Sequence, residues 1–494
     1  MFSTPIKHTK SKEGNTIEVL ITNATLRALQ SRPGDLDDFF AGEIQSYATL
    51  LSDFGKLHLP AKRSEIVELM GNDELEGVPS TFQGKIFDRA AIVHMLKTGT
   101  ATTFAQYSES VFIPYVQKCI QSVQRVDIVW DQYKQDSLKA DTREKRGKLK
   151  GIRRKVAAST KLPGNWQDFL KDNTNKEELF SFLTSAVCCH TFPEGKTVVS
   201  TKGVATQSNQ DFSMPHCFQE EADTRMLFHM KHMIENGLIT ISLKTVDSDV
   251  VVILVGLFYK IADQVDDIWV EYGAGKHLQY ISIRTIYNQL GELKAKAILF
   301  FHAFTGSDTT SAFRNKGKKT AWNTWKAFEE VTETFAKLSV EPFKTIEDDS
   351  KEVETLEKFV IYMYIKSSPL KKVNDARREI FCQKNQSMES LPPTKNALIQ
   401  HIKRSVYQTG IWATAFETQA SLPAASLFGW QKKANQWQPV WITIAEVALS
   451  CRDLVKCGCK TDCSTKRCSC KSADLPCTEL CKCKCVQGNM EVNQ

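Results

Sequence analysis

The sequence of 494 residues lacks an apolar run long enough to cross a membrane. A membrane-spanning helix needs about 18 or more apolar residues, and the longest uncharged apolar run, Val250–Tyr259, has roughly half that length. Residues Met1–Lys10 also lack the apolar core of a signal peptide. We therefore expect a cytoplasmic or nuclear protein without membrane contacts.

Cysteine is scarce outside the C-terminal region. The chain has 15 cysteines, and only six lie outside Cys457–Cys485. These six are scattered, as expected of reduced thiols in a reducing compartment, which argues against a secreted disulfide protein. The sequence also has no internal repeat and no low-complexity tract. Because 42% of the residues are hydrophobic, a chain of this length can form two or three packed domains.

The other nine cysteines follow the spacing C-x-C-x3-C-x4-C-x-C-x6-C-x3-C-x-C-x-C. Pairs this close cannot all close unstrained disulfides, but thiolates that bridge about three tetrahedral Zn²⁺ ions would use all nine. The predicted ligands are Cys457, Cys459, Cys463, Cys468, Cys470, Cys477, Cys481, Cys483 and Cys485. A metallothionein-like metal store is the alternative. The ordered spacing and the interspersed lysines favour a module that contacts DNA.

Positive charge is concentrated in one segment. The net charge of the chain is +7, and residues 139–155 contain nine Lys or Arg and two acidic residues. This segment is large enough to contact phosphates, although a solvated helix or loop, or a nuclear-import signal, fits the same composition.

Four regions follow one another along the chain. Residues 1–80 have mostly helical periodicity. Residues 81–335 alternate β-branched runs with helical stretches, which predicts an α/β domain with a mostly parallel sheet covered by helices. Residues 336–450 form a mostly helical region and linker, and residues 451–494 contain the predicted zinc cluster.

Within residues 81–335, acidic residues follow the apolar runs or begin the next helix. They are Asp88, Asp131, Glu221, Asp223, Asp247, Asp249 and Asp308. In a parallel α/β sheet, ligands bind beside the carboxyl ends of the strands, so we expect these acids to converge there. Each acid alone is more typical of a helix cap or a turn than of a metal ligand.

Several carboxylates can share a crevice in the ionised state only when cations neutralise them. Oxygen ligands suit Mg²⁺ or Mn²⁺, and two such ions about 4 Å apart activate water and stabilise the leaving oxygen in phosphodiester cleavage. His94, His216, His229, His232 and His302 show no comparable pattern, and we interpret them as structural residues.

The order of the acidic residues resembles the PIN-like nuclease fold in its flap-endonuclease branch. Asp88 corresponds to that family's first-strand Asp, and Val129-Trp130-Asp131 corresponds to its F-D. Glu221-Ala222-Asp223 corresponds to E-A-E, Asp247-Ser248-Asp249 to D-x-D, and Gly306-Ser307-Asp308 to G-S-D. The resemblance implies a three-layer α/β/α fold. It also implies that Asp88, Asp131, Glu221 and Asp223 hold one metal ion and the other three acids a second.

Two positions depart from the family pattern. After G-S-D the family has a DNA-binding hairpin of G-x-G-P-K character, where this chain has Arg314–Ala321; Lys316, Lys318 and Lys319 remain candidates for phosphate contacts. Glu220 competes with Glu221 for the E-A-E position, and the family spacing favours Glu221. The resemblance further implies that Lys139, Arg143, Lys145 and Arg146 contact the scissile phosphate or draw in the strand.

The cysteine region resembles the tesmin-type CXC domain, in which a Tyr that enters the minor groove precedes the second C-x-C. Here that position is Arg467, which is also able to probe a narrow minor groove. The sequence therefore predicts a nuclear, metal-dependent nuclease, with DNA rather than RNA as the expected partner and a CXC module that targets it. The alternative is a catalytically inactive scaffold that binds DNA or chromatin. The arrangement is also similar to uncharacterised invertebrate proteins, which suggests a mobile-element origin.

Overall fold

The computed structural model describes residues 40–43, 46–71, 78–132, 137–138, 152–384, 391–419, 421–444, 457–459, 463–472, 477, 481, 483 and 485. Its centre is a seven-stranded sheet, and two short hairpins bring the number of described strands to eleven. The strands are β1 (Ser52–Asp53), β2 (Lys56–Leu57), β3 (Gly84–Asp88), β4 (Arg125–Val129), β5 (Thr197–Lys202), β6 (Ala205–Ser208), β7 (Thr240–Thr245), β8 (Asp267–Tyr272), β9 (Gln279–Ser282), β10 (Trp430–Lys433) and β11 (Gln436–Pro439).

The order of strands in the main sheet is β6-β5-β4-β3-β7-β8-β9. The five central strands are parallel, and the edge strands β6 and β9 are antiparallel to their neighbours. The two short hairpins, β1-β2 and β10-β11, lie outside this sheet. The prediction of a mostly parallel α/β sheet is confirmed.

Helices cover both faces of the sheet. The α-helices are Glu65–Met70, Arg89–Met95, Phe104–Tyr107, Ile113–Gln121, Trp166–Phe169, Asn173–Cys188, Ala222–Glu235, Ser248–Leu257, Ile283–Leu290, Glu292–Phe304, Lys318–Ala327, Val331–Val340, Lys351–Tyr364, Val373–Lys384, Lys395–Ala413 and Ser469–Ser472. A π-helical turn spans Ser108–Phe112, and 3-10 turns span Phe258–Lys260, Gly275–His277 and Ala425–Phe428. Among the described residues, no helix has the length and apolarity that a membrane crossing requires.

Alternating residues of the strands face two separate cores, because successive side chains of a strand point to opposite faces. Ile86 and Leu243 pack into one core with the helix Ala222–Glu235, whereas Phe87 and Ile128 pack into the other. The second core includes the helix Ile113–Gln121. The three-layer α/β/α arrangement that the sequence predicts is therefore present.

The first core extends beyond the sheet into the C-terminal helices. The helix Glu292–Phe304 is buried from Ala297 to Phe304, and it packs against Val331–Val340 and Lys395–Ala413. Phe335 contacts both Phe300 and Phe359 through its ring. The predicted domain boundary after residue 335 thus falls within a helix whose side chains join the sheet and the C-terminal helices in one core.

The connections between strands create a crevice at one edge of the sheet. The chain passes from β3 outward to β4 and β5, and then returns to place β7 on the other side of β3. Such a reversal separates the loops that follow neighbouring strands, and ligands bind at that point in open α/β sheets. Asp88 at the end of β3 is paired with Val129 at the end of β4, so the loops after β4, β3 and β7 begin side by side.

A buried polar network fixes the helix Ala222–Glu235 to β4. The Asp127 carboxylate accepts two hydrogen bonds from Arg125, at 2.7 and 2.6 Å, and contacts His229 Nδ1 at 2.6 Å. Asp127 and His229 are completely buried. Although burial opposes ionisation, Arg125 and His229 hold the pKa of Asp127 below its usual value. The network determines where the N-terminus of this helix lies relative to the end of β4.

Replacement of Asp127 by Asn is expected to lower the free energy of unfolding by about 3 kcal/mol, because it leaves the buried Arg125 guanidinium without its carboxylate. Urea denaturation measures the change. The matched control is Asp263→Asn, at an exposed carboxylate, which should change stability by no more than about 0.5 kcal/mol. Equal stability of the two variants would refute a structural role for the network.

Candidate metal centres

Seven predicted carboxylates lie at the carboxyl edge of the sheet or on the segments that follow it. Asp88 is the last residue of β3, and Asp131 lies two residues beyond β4. Asp247 lies two residues beyond β7, immediately before the helix Ser248–Leu257. Because β4, β3 and β7 are neighbours, these three acids share one edge, as the sequence pattern predicts.

Asp131 connects the end of β4 to the helix that carries Glu221 and Asp223. Its Oδ1 accepts a hydrogen bond from the Ala222 backbone N–H at 2.8 Å, so it caps the first turn of the helix Ala222–Glu235 from outside. Glu221 is the residue directly before this helix, and Asp223 lies in its first turn. The contact therefore brings these three acids together.

Thr245 connects Asp88 to Asp247. Its hydroxyl donates to Asp88 Oδ2 at 3.0 Å and accepts from the Asp247 backbone N–H at the same distance. Asp247 Oδ1 in turn accepts from the Asp249 backbone N–H at 3.0 Å, which caps the helix Ser248–Leu257. The D-x-D motif is thus a helix start whose position is fixed by the end of β7.

His302 positions Asp249. The two side chains are at most 1% exposed, and His302 Nε2 lies 3.0 Å from Asp249 Oδ1. Burial and the nearby Lys318 ammonium lower the pKa of His302 to about 4, so the imidazole is neutral at pH 7 and donates its Nε2–H to the carboxylate. The expectation that His302 is structural fits this arrangement, although the sequence did not indicate its contact with a site carboxylate.

The loop that carries Asp308 depends on Gly306 and Lys318. Gly306 has a φ of +108°, and a Cβ there would lie 2.9 Å from the Ala312 backbone, so a side chain at this position would clash. The Lys318 ammonium is buried and donates to His302 O at 3.0 Å, Thr305 Oγ1 at 2.9 Å and Gly306 O at 2.8 Å. Lys318, which we expected to contact phosphate, instead braces the Asp308 loop in this structure.

Arg63 reaches into the acidic crevice from the N-terminal region. Its guanidinium forms an ion pair with Asp308, and Nη1 lies 3.9 Å from Asp249 Oδ2. Although burial lowers the pKa of Arg63, the carboxylates of Asp249, Asp308, Asp247 and Asp223 outweigh it and raise that pKa. Nothing in the sequence near Arg63 indicates this role, because its partners are at least 160 residues away along the chain.

Four of the seven carboxylates, Asp223, Asp247, Asp249 and Asp308, act electrostatically on the Arg63 guanidinium, and repulsion among them favours additional cations. Burial and the neighbouring Asp249 raise the pKa of Asp247 to about 7. The donor set consists of oxygen atoms, which suits Mg²⁺ or Mn²⁺. Among the described residues, only cysteines bring three or more ligand atoms within 4.8 Å of one another, so the carboxylates are spaced more widely.

The remaining predicted contacts to nucleic acid differ in their surroundings. Lys316 is half-buried, with its ammonium 4.7 Å from the centre of the Tyr364 ring. Lys319 and Arg467 are exposed. Lys139, Arg143, Lys145 and Arg146 lie outside the described residues.

The nine cysteines of the C-terminal cluster converge without forming disulfides. Sulfur atoms within this cluster lie close together: Cys457–Cys463 at 3.5 Å, Cys457–Cys477 at 3.9 Å, Cys468–Cys477 at 4.0 Å and Cys470–Cys481 at 3.5 Å. A disulfide requires about 2.05 Å, whereas thiolates around one tetrahedral Zn²⁺ lie about 3.8 Å apart. The cluster therefore fits a zinc module.

Overlap between ligand sets indicates which cysteines bridge two ions. Four sets of four cysteines have their sulfur atoms within 4.8 Å of one another, and Cys457 and Cys477 each belong to three of them. Three tetrahedral ions require about twelve thiolate contacts, so about three of the nine ligands must bridge. Cys457 and Cys477 are the best placed to do so.

The affinity for Mn²⁺ or Mg²⁺ is expected to rise about tenfold between pH 6 and pH 8, because Asp247 must lose its proton near pH 7 to act as a ligand. Calorimetric titration of the zinc-loaded protein with Mn²⁺ measures this. Asp247→Asn should bind more weakly and lose the dependence on pH. Asp266→Asn, at the opposite edge of the sheet, should retain the dependence on pH. An equal affinity of the wild type at pH 6 and pH 8 would contradict the expectation.

Elemental analysis of the full chain is expected to return about three zinc ions, as twelve contacts from nine thiolates require. A Cys457→Ser/Cys477→Ser variant should lose most of this zinc because both residues belong to several ligand sets. Cys119→Ser is the control, since Cys119 lies in the second core of the sheet domain. A content of one zinc or none in the wild type would exclude the cluster.

No protein-family model and no curated protein matches this chain. Among solved structures, it is similar to a flap endonuclease of bacteriophage T5 in complex with DNA and metal ions, at 13% identity over 70% of this chain and 95% of that chain, with a TM-score of 0.34. It is also similar to the catalytic core of Rad2 in complex with DNA substrate, at 14% identity over 63% of this chain and 90% of that chain, with a TM-score of 0.29. Because both TM-scores are below 0.5, the interpretation of the site depends on its own geometry.

Proposed function

We propose that this protein is a structure-specific, metal-dependent nuclease that hydrolyses phosphodiester bonds in DNA, with RNA as the other possible substrate. The observation that carries the proposal is a group of seven carboxylates, of which Asp88, Asp131 and Asp247 lie at the carboxyl ends of three neighbouring parallel strands. The other four lie on two helix starts and on the loop after the helix Glu292–Phe304. Ionised acids in such a crevice bind divalent cations, and phosphodiester hydrolysis is a reaction for which two such cations suffice.

The carboxylates form three groups according to their contacts. Asp131 accepts from the Ala222 N–H, which lies between Glu221 and Asp223 in the chain, and Asp88 is joined to Asp247 through Thr245. Asp249 and Asp308 both approach Arg63. Bound Mg²⁺ or Mn²⁺ would supply an activated water and neutralise the leaving oxygen. The protein holds the acids in place through helix caps, the His302 contact and the Lys318-braced loop.

Arg63 is the one observation that favours the alternative, a catalytically inactive scaffold. Its guanidinium already places a positive charge between Asp308 and Asp249, where a divalent ion would otherwise balance them. In an active enzyme the same guanidinium would move to a phosphate oxygen of the substrate, which Arg binds in a bidentate manner. In an inactive scaffold it would remain with the acids.

The zinc module is proposed as a CXC-type element that targets the protein to DNA in the nucleus. Lys466 and Arg467 are exposed next to the cluster, which suits contact with a backbone or a narrow minor groove. Nine thiolates and three Zn²⁺ ions together carry a charge of about −3. The lysines around the cluster offset this charge, so we expect the module to act together with the basic segment at residues 139–155 rather than alone.

Purified protein with Mg²⁺ is expected to cleave at least one substrate in a panel of flapped, branched and single-stranded DNA and RNA. Asp247→Ala/Asp249→Ala should lower the cleavage rate by about a thousandfold or more, because it removes metal ligands. Asp266→Asn, an exposed carboxylate at the opposite edge of the sheet, is the control and should retain the wild-type rate.

Two results would contradict the enzyme proposal. One is that no substrate is cleaved in either Mg²⁺ or Mn²⁺, which would support the catalytically inactive scaffold instead. The other is cleavage that persists unchanged in the double variant, which would identify a contaminant or a different site.

A further inference from the structure

A cavity of about 700 Å³ adjoins the acidic crevice. It lies between the loop before the helix Ala222–Glu235 and the C-terminal half of the helix Lys395–Ala413, and its wall includes Glu221 and Thr309. Glu221 is one of the seven site carboxylates, and Thr309 directly follows another, Asp308. Cavities of this size bind small molecules or parts of larger ones. A group bound here would be next to the proposed scissile phosphate.

Gln408 places a buried amide donor in the wall of this cavity. The side chain is 2% exposed, and its Oε1 accepts a hydrogen bond from the Thr309 hydroxyl. Its Nε2 has no acceptor within the described part of the chain. A buried amide without a partner costs free energy, so a polar group that accepts from Nε2 would stabilise a bound ligand.

Gln219 provides the complementary acceptor. Its Nε2 donates to the backbone carbonyls of Thr414, Ala415 and Glu417 at 3.1, 2.9 and 2.7 Å, which fixes the orientation of the carboxamide. Its buried Oε1 receives no hydrogen bond from any residue that the structure describes. Two residues that line the cavity therefore each contribute one buried amide atom, a donor on Gln408 and an acceptor on Gln219, without a hydrogen-bond partner among the described residues.

The other walls that the structure describes combine aromatic and apolar side chains with two acidic residues. Phe218, Tyr407 and Trp437 contribute rings, and Phe218 is 42% exposed. No Lys or Arg is present among the described residues that line the cavity, whereas Glu220 and Glu221 are. A phosphate is disfavoured here. A neutral, flat ligand with hydrogen-bonding edges fits the rings and the two carboxamides.

We propose that this cavity binds one unstacked nucleobase of the substrate strand, next to the phosphate that is cleaved. The inference rests on the proposed nuclease function, because the ligand is identified as a nucleobase from the position of the cavity beside the proposed site of phosphate cleavage. Nucleobases are planar, carry donors and acceptors on their edges and stack on aromatic side chains, which are the three properties that the cavity matches. Gln408 is then a specificity residue and not a metal ligand.

The test uses flapped DNA duplexes in which an abasic residue replaces each nucleotide near the cleaved bond in turn. Binding to the full-length protein is measured by fluorescence anisotropy in Ca²⁺, and single-turnover cleavage is measured separately in Mg²⁺. We expect one position at which loss of the base weakens binding at least tenfold. The Gln408→Leu variant should bind the intact flap only as tightly as the wild type binds the abasic flap. Its affinity for the abasic flap should stay within twofold of the wild-type affinity for that flap.

Gln400→Leu is the matched control. Gln400 lies on the same helix and is 7% exposed, but it does not line the cavity. This variant should keep the tenfold preference for the base. Phe218→Ala is a second variant for the case in which Gln408→Leu does not fold, because Phe218 is 42% exposed. This variant should reduce the preference for the base through loss of stacking.

The results separate this inference from the proposed function. Cleavage that is equally fast for every abasic flap, with no base-dependent position in binding, overturns the inference and leaves the nuclease in place. Base-dependent binding that Gln408→Leu abolishes, without cleavage of any flap, supports the cavity and overturns the nuclease. A preference that survives in both Gln408→Leu and Phe218→Ala overturns the inference.

Discussion

Repulsion between carboxylates at the end of a parallel sheet is the constraint on which the rest of the molecule depends. Burial strengthens this repulsion, because low dielectric surroundings screen charges poorly, and it raises the pKa of Asp247 to about 7. The acids stay together because neutral or cationic groups hold them: backbone N–H groups at two helix starts, the Thr245 hydroxyl, the His302 imidazole and the Arg63 guanidinium. Each of these contacts also fixes a secondary-structure element.

The C-terminal helices belong to the site as much as to the core. The helix Glu292–Phe304 carries His302 at its buried face and leads into the Asp308 loop. The helix Lys395–Ala413 packs on it and supports the same region through His401, whose Nε2–H donates to Phe304 O at 2.8 Å, and through Gln408. The residues after position 335 thus determine the shape of the crevice and of the cavity beside it.

The two candidate metal centres differ in how their residues are brought together. In the cysteine cluster the ligands are close in sequence, and their sulfur atoms are already at distances that suit Zn²⁺. In the acidic crevice the carboxylates come from segments up to 220 residues apart. Among the described residues, no three of these carboxylates have oxygen atoms within 4.8 Å of one another. Thiolates are the preferred ligands of Zn²⁺, whereas carboxylate oxygens are the preferred ligands of Mg²⁺, so the donor atoms of each site suit its proposed ion.

The sequence by itself determined the α/β class, the mostly parallel sheet and the positions of the acids relative to the strands. Those features depend on local periodicity and on the rule that parallel strands end at one edge. It also determined the cysteine cluster, because the nine cysteines lie within 29 residues. Tertiary structure alone decided the roles of Arg63, His302, Lys318 and Gln408. Their partners are distant along the chain or form part of buried loops, and an isolated Arg, His, Lys or Gln has no sequence pattern that distinguishes a site residue from a surface or core residue.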